Sequence, residues 1–156
     1  MRVHICAVGR LRAGPEKDLI DDYVKRFDRT GRALGLGPLR IAEVEDKKGG
    51  GMAAEASLLR RAIPDKAVVC VLDERGVQAS SPEFAARISD WRDAGQGDLA
   101  LVIGGADGLA PDLRKEADLA LSLGPMVWPH MLVRAMIAEQ LYRAASILAG
   151  APYHRI

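Results

Sequence analysis

The chain has 156 residues, 49% of them hydrophobic and 28% charged, with a formal net charge of +1 at pH 7. That length fits one domain, residues 1–156, able to bury roughly two-thirds of its unfolded surface, and the composition excludes a disordered chain. The near-zero net charge excludes a molecule whose overall field drives it onto nucleic acid, so any such contact must rest on local patches.

Arg2 to Val8 reads as a short apolar strand that Gly9 breaks. From Pro15 to about Thr30, Leu19, Ile20, Tyr23, Val24 and Phe27 recur at spacings of three and four, the period of an amphipathic helix. Gly31, Gly35, Gly37 and Pro38 end that helix, and a second strand runs from Pro38 to Val44. Lys47 to Gly51 is a charged, glycine-rich loop, expected to be mobile, and Met52 to about Ala62 is helical. Ala67 to Leu72 is a continuous β-branched run of the kind buried on both faces of a parallel sheet. After Gly76, a Ser cap at Ser80-Ser81 precedes Pro82 and opens a helix to about Asp93. Asp98 to Ile103 and Asp118 to Leu123 read as further strands. This alternation predicts an α/β fold, with a mainly parallel sheet and helices on both faces.

Cys6 and Cys70 each sit inside an apolar run and read as buried free thiols, which fits a reducing cytosol. No spacing of Cys and His suggests a metal site. No apolar run is long enough for a signal peptide or a membrane span, so a cytoplasmic protein without a membrane partner is expected. Arg10, Arg12, Lys17, Lys25, Arg26, Arg29 and Arg32 crowd the first 32 residues, with Lys47-Lys48 and Arg60-Arg61 following. Charge alone reads these first as solvated helix faces, with a nucleic-acid patch as the alternative.

Three segments carry candidate chemistry. Leu99 to Leu109 delivers Gly104-Gly105 at the carboxyl end of a buried strand, where open α/β sheets bind ligands and where glycine lets backbone approach closely. It matches neither GxGxxG nor GxxxxGK[ST], and a tight strand-to-helix turn is the plain alternative. Leu72-Asp73-Glu74-Arg75-Gly76 ends another buried strand. Its carboxylates are acid/base candidates, or more simply exposed turn formers. In the carboxyl block from Leu123 to Ile156, Pro129 suits a first helical turn and His130 lies near the positive end of the helix dipole, which favours a neutral imidazole able to accept a proton. A lone histidine there more often merely caps or packs, and Glu139 with Arg143 reads as a surface ion pair worth a few tenths of a kcal/mol. Leu132, Met136, Leu141, Ala144, Ala145 and Leu148 leave the helix apolar around most of its circumference, more than one sheet face covers, which suggests a homodimer seam.

Val102-Ile-Gly-Gly-Ala-Asp-Gly-Leu109, the Leu123-to-His130 loop, Glu139-Gln-Leu-Tyr-Arg-Ala144 and the terminal Pro152-Tyr-His-Arg155 together resemble the large-subunit rRNA methyltransferase H family of SPOUT methyltransferases. Val8-Gly9, Leu72-Asp73 and Ser81-Pro82-Glu83-Phe84-Ala85 extend that resemblance over the whole chain. It implies an α/β fold with a carboxyl-terminal trefoil knot, a feature that ordinary topology rules argue against. It implies a homodimer that binds S-adenosylmethionine mainly through backbone, at Leu72, Gly104, Leu123, Gly124, Pro125, Met126, Val127 and Trp128. The implied reaction is methylation of N3 of pseudouridine 1915 in 23S rRNA of the assembled ribosome.

The residues suit such a reaction. Methyl transfer from a sulfonium needs positioning and no metal, but the acceptor nitrogen must lose a proton. His130 is the first candidate to accept it or to orient the acceptor. Arg143 and Arg155 are candidates to stabilise the uracil anion or hold a phosphate, and Tyr153 and His154 to stack on an extruded base, in their own subunit's site or the partner's. Two other classes fit the chain: a flavodoxin-like protein or hydrolase using Gly104-Gly105 for a phosphate, and a ribosome-associated module without turnover.

Overall fold

The computed structural model describes residues 1–155, and Ile156 of the carboxyl block lies outside the described residues. In chain order the elements are β1 (Arg2–Val8), α1 (Pro15–Gly31), β2 (Leu39–Val44), α2 (Gly51–Ala62), β3 (Val68–Gln78), α3 (Ser81–Asp93), β4 (Asp98–Ile103), α4 (Pro111–Glu116), β5 (Leu119–Ser122) and α5 (His130–Leu148), with a 3-10 turn at Arg32–Leu34. The strands form one sheet in the order β2-β1-β4-β3-β5, and every pairing between them is parallel. All carboxyl ends therefore lie along one edge.

Helices cover both faces. Val3, Ile5, Ala7, Cys70, Leu99, Leu101 and Ile103 pack with Ile20 and Phe27 of α1, Phe84 and Ile88 of α3, and Ile137, Ala138 and Leu141 of α5. Alternate residues Cys6, Val71, Ala100 and Val102 meet Ala56 and Leu59 of α2 and Leu113 of α4 on the other face. Strands with both faces buried read as continuous apolar runs, which is how β4 came to be legible. Cys6 and Cys70 are free and buried, and burial pushes their thiols up to about 11 and about 12.

Local chemistry sets the ends of the elements. Ser80 closes a capping box, with its hydroxyl accepting from the Glu83 amide while the Glu83 carboxylate accepts from the Ser80 amide at 2.7 Å. Two backbone donors that a helix start leaves unpaired are thereby satisfied. The short α4 carries no apolar period and follows a loop, so only its Pro111 start was there to be read. At the amino end of the sheet, Asp98 accepts from both Nε and Nη2 of Arg2 at 2.8 Å and pairs with His4 Nε2 at 2.7 Å.

The strand expected to end at Leu72 continues to Gln78. A register shift between Leu72 and Val77 lets β3 rejoin β5, where Val77 pairs with Leu121 and Gln78 with Ser122. Gly76 permits this because a Cβ there would lie 2.6 Å from the Ala120 carbonyl carbon. Asp73 is accordingly no exposed turn former. Its side chain is 4% exposed and accepts from Arg75 and Arg114, each at 3.1 Å. Burial pushes its carboxyl up, but the bonds from Arg75 and Arg114 outweigh that and hold it below the usual range.

Helix α5 differs from its expected packing. Leu141, Ala144 and Ala145 are buried in the sheet-facing core between α1 and α3, and Leu148 is partly buried against it. Leu132 and Met136 remain half-covered. They line a groove of about 540 Å³ with Leu19, Tyr23 and Phe84. The apolar circumference of α5 is thus mostly satisfied by two flanking helices as well as the sheet.

Candidate active site

A cleft of about 350 Å³ opens at the carboxyl edge of β3, β4 and β5. Leu72, Ile103, Leu121, Leu123 and Val133 give it apolar lining, and Gly104 to Leu109 with Gly124, Met126, Val127 and Trp128 form its walls. That size and mixture suit a small organic ligand. Gly104 belongs there for a steric reason: a Cβ would lie 2.7 Å from the Gly108 carbonyl carbon, so the turn closes only around glycine. Gly124 adopts φ +111 with open space beside it, which turns the chain from β5 into the wall. Met126 and Val127 line it while 69% and 79% exposed, so this wall is open to solvent. Leu72, Gly104, Leu123, Gly124, Met126, Val127 and Trp128 all line this cleft, whereas Pro125, which has no amide hydrogen to offer, does not.

His130 is the first residue of α5 and lines the same cleft. Burial, and then the positive charge of Arg134 one turn on, hold its imidazole below the ordinary value. Both favour the neutral imidazole, the form able to accept a proton. Arg134 itself escaped the sequence reading. It is fully buried, and donates to Glu43 at 2.9 Å, to the Val8 carbonyl at 2.7 Å and to the Gly9 carbonyl at 2.8 Å. Its Nε has no partner among the described residues. The available signal was a lone cation four residues after His130 in an otherwise apolar turn.

The remaining site candidates lie elsewhere in this chain. Arg143, Tyr153, His154 and Arg155 do not line the cleft, and Arg143 follows His130 by 13 residues, about 20 Å along a helix. The tail folds back onto α5. Tyr153 Oη donates to Glu139 Oε1 at 2.9 Å, Arg143 Nη2 donates to the same oxygen at 2.6 Å, and Arg143 Nη1 lies 3.3 Å from His154 Nδ1. The Arg143 guanidinium sits 4.7 Å from the Tyr153 ring centre, and the Tyr142 and Tyr153 rings are 4.5 Å apart. Glu139 and Arg143 are therefore the half-buried base of the tail, where a solvated surface pair was expected. Arg155 is exposed.

Fold and cleft together define an α/β protein with a cleft of small-ligand size at the carboxyl edge of a parallel sheet, against the start of its last helix. The family model for predicted SPOUT methyltransferases matches residues 1–154. The chain is 76% identical over 155 residues to the ribosomal RNA large subunit methyltransferase H of Roseobacter denitrificans, covering 99% of each chain. It is 72% identical over 156 residues to the protein of that name from Ruegeria pomeroyi, covering 100% of each. Among solved structures, a probable methyltransferase from Bordetella pertussis Tohama I superposes with a TM-score of 0.53 at 17% identity, over 92% of this chain and 96% of that one. A probable methylase family protein from Haemophilus influenzae Rd KW20 gives 0.52 at 14%, over 99% and 70%. The chain belongs to the SPOUT methyltransferase family, and within it to the ribosomal RNA large subunit methyltransferase H group.

Proposed function

We propose that this enzyme, one SPOUT domain over residues 1–156, transfers a methyl group from S-adenosylmethionine to N3 of pseudouridine 1915 in 23S rRNA of the assembled ribosome. The observation that carries the reading is one cleft bringing Leu72, Gly104, Leu123, Gly124, Met126, Val127 and Trp128 together with His130, held toward its neutral form, at its edge. The residues fit this cofactor. Apolar lining suits an adenosine, the glycine-rich turns leave backbone open to hydrogen bonding, and the carboxylates of Glu74 and Asp107 suit a cationic sulfonium. They suit a phosphate poorly, since Arg75 is committed to Asp73, which weighs against the flavodoxin-like alternative.

When bound, S-adenosylmethionine supplies an electrophilic methyl group. His130 at the cleft edge would take the N3 proton on an imidazole nitrogen as the methyl group is transferred. The residues lining the cleft would hold the cofactor and position the acceptor nitrogen against it. Arg143 and Arg155 act on the uracil anion or a neighbouring phosphate, and Tyr153 and His154 stack on the extruded base. The separation along α5 between these four residues and the cleft supports a homodimer in which one subunit's tail meets the other's cleft. The groove bounded by Leu19, Tyr23, Leu132 and Met136 supports the same arrangement, because Leu121, Leu123 and Gly124 line both groove and cleft. The family resemblance further implies that the carboxyl segment threads a loop as a trefoil knot. No helix is long and apolar enough to cross a membrane among the described residues, and we place the enzyme in the cytoplasm with its substrate.

Ribosomes lacking the modification, incubated with the enzyme and S-adenosylmethionine, should gain one methyl group at that nucleotide, read by mass spectrometry of the rRNA fragment. A silent assay in the presence of measurable cofactor binding would favour a ribosome-associated module without turnover. Mixing His130→Ala with Arg155→Ala tests the dimer. Shared sites should restore roughly a quarter of wild-type activity through random pairing, and a mixture as inactive as its parts would place the tail in its own subunit's site.

A further inference from the structure

We propose that the exposed cations on the two loops leaving β1 and β2, namely Arg10, Arg12, Lys47 and Lys48, form a track for the phosphodiester backbone of the RNA beside the methylated nucleotide. The proposal rests on the reading above that the substrate is ribosomal RNA. Because the sheet is parallel, these loops leave it at the same edge as the cleft. In the order β2-β1-β4-β3-β5, β2 lies two strands from β4, roughly 10 Å at the usual strand spacing. A stacked nucleic-acid strand presents about three phosphates over that length, at ~3.4 Å each.

Charge is sorted at this rim by hydrogen bonding. The Glu43 carboxylate, though exposed, is engaged by the Leu11 amide at 2.5 Å and by Arg134, which fixes the backbone between Arg10 and Arg12. Asp46 likewise turns onto its own loop, accepting from the amides of Lys48 and Gly50. Arg12, Lys47 and Lys48 are exposed and make no ion pair among the described residues, while Arg10 is 77% exposed and only loosely opposed by Glu45 at 3.8 Å. Lys17, Arg26 and Arg60 each have a carboxylate partner within 3.1 Å, whereas Lys25, Arg29 and Arg61 are exposed without one among the described residues, so what sets these four cations apart is their place at the edge of the sheet that carries the cleft. Carboxylates engaged by backbone amides and by Arg134, beside cations left free on loops tied down by their own hydrogen bonds, make a surface suited to a polyanion and without base selectivity.

The test is equilibrium binding of the full-length protein to purified large ribosomal subunits over a salt titration, with methyl transfer measured in parallel. The variant Arg12→Ala/Lys47→Ala/Lys48→Ala should bind roughly tenfold or more weakly near 0.15 M salt, and its log–log salt slope should fall by about two, as loss of three phosphate contacts requires. S-adenosylmethionine affinity and the rate at saturating ribosome should stay at wild-type values. Arg61→Ala/Lys115→Ala, at the opposite edge of the sheet, serves as the charge control. A triple variant that binds no worse than this control, or keeps the full salt slope, overturns the track. A wild type that binds the subunits but transfers no methyl group would count against the proposed reaction, and the binding arm would still decide the track. Failure of the wild type to bind at all overturns it.

Discussion

Arg134 Nη1 lies 2.9 Å from Glu43 Oε2, an ion pair joining helix α5 to strand β2 between residues 91 apart in sequence. The Arg134 side chain is 1% exposed and that of Glu43 31%. Removing the two partners should therefore have unequal effects. Glu43→Gln strands a charge with no route to water and should cost about 2–4 kcal/mol. Arg134→Met removes that charge, frees a carboxylate that can still reach solvent, and should cost about 1–3 kcal/mol. Denaturant unfolding of both variants gives the order, and Arg134→Met proving the more damaging would show that its bonds to Val8 and Gly9 dominate.

His130 is held below its ordinary pKa of 6.5, first by burial and then by Arg134. The unfolded chain then binds the proton at a higher pH than the folded one. This group accordingly contributes nothing to the pH dependence of stability above about 6.5, and destabilises the fold as pH falls below it. Methyl transfer, if His130 accepts the proton, should be flat from pH 7 down to about 6.5 and should drop only below that. Arg134→Met should move the acid limb upward by relieving the repulsion. An acid limb centred above pH 7 in the wild type would assign proton acceptance to another group.

Gly104 and Gly76 are both closed to a side chain, but in different places. A Cβ on Gly104 would press on Gly108 in the cleft wall, and one on Gly76 would press on Ala120 in the β3–β5 pairing. Gly104→Ala should weaken S-adenosylmethionine binding at least about tenfold in calorimetry, because the wall must shift. Gly76→Ala should lower stability by about 1–3 kcal/mol. Undiminished affinity in Gly104→Ala would remove that turn from the cofactor site.

Glu139 gathers Tyr153 and Arg143 onto one carboxylate oxygen, and burial, then Tyr23 and Glu139, push the Tyr153 phenol up. Glu139→Gln weakens both bonds at once. Amide hydrogen exchange should then quicken over residues 151–155, while the global unfolding free energy changes by no more than about 1–2 kcal/mol. A large global loss with unchanged exchange in the tail would mean that Glu139 holds the helix bundle and not the tail.

Much of the fold was legible because its signals are local. The i, i+3, i+4 spacing of Leu19, Ile20, Tyr23, Val24 and Phe27 marks α1 from Pro15 onward, and the unbroken Asp98–Ile103 run marks β4 residue for residue. Ser80 and Glu83 announce a helix start because a capping box is a contact between near neighbours. The extension of β3 past Asp73 was hidden. Its polar residues look like a turn until β5 is present to pair with Val77 and Gln78, and until Arg114 arrives from α4 to neutralise Asp73.

The candidate site divides in the same way. Gly104 and the Leu123–Trp128 loop could be named from motif, since a wall built on tight turns leaves its mark as glycines and a fixed spacing. Arg134 could not be weighed, because a cation in an apolar helix gains its meaning only from Glu43 and the Val8 and Gly9 carbonyls, which strand order alone brings beneath it. The amino-acid sequence by itself determined the elements, the buried runs and the chemical inventory of the carboxyl block, all of which depend on interactions over a few residues. Tertiary structure alone decided that His130 sits at the cleft while Arg143 stands far along the same helix with Tyr153 of the tail folded against it, because one rigid rod separates residues that a motif lists side by side.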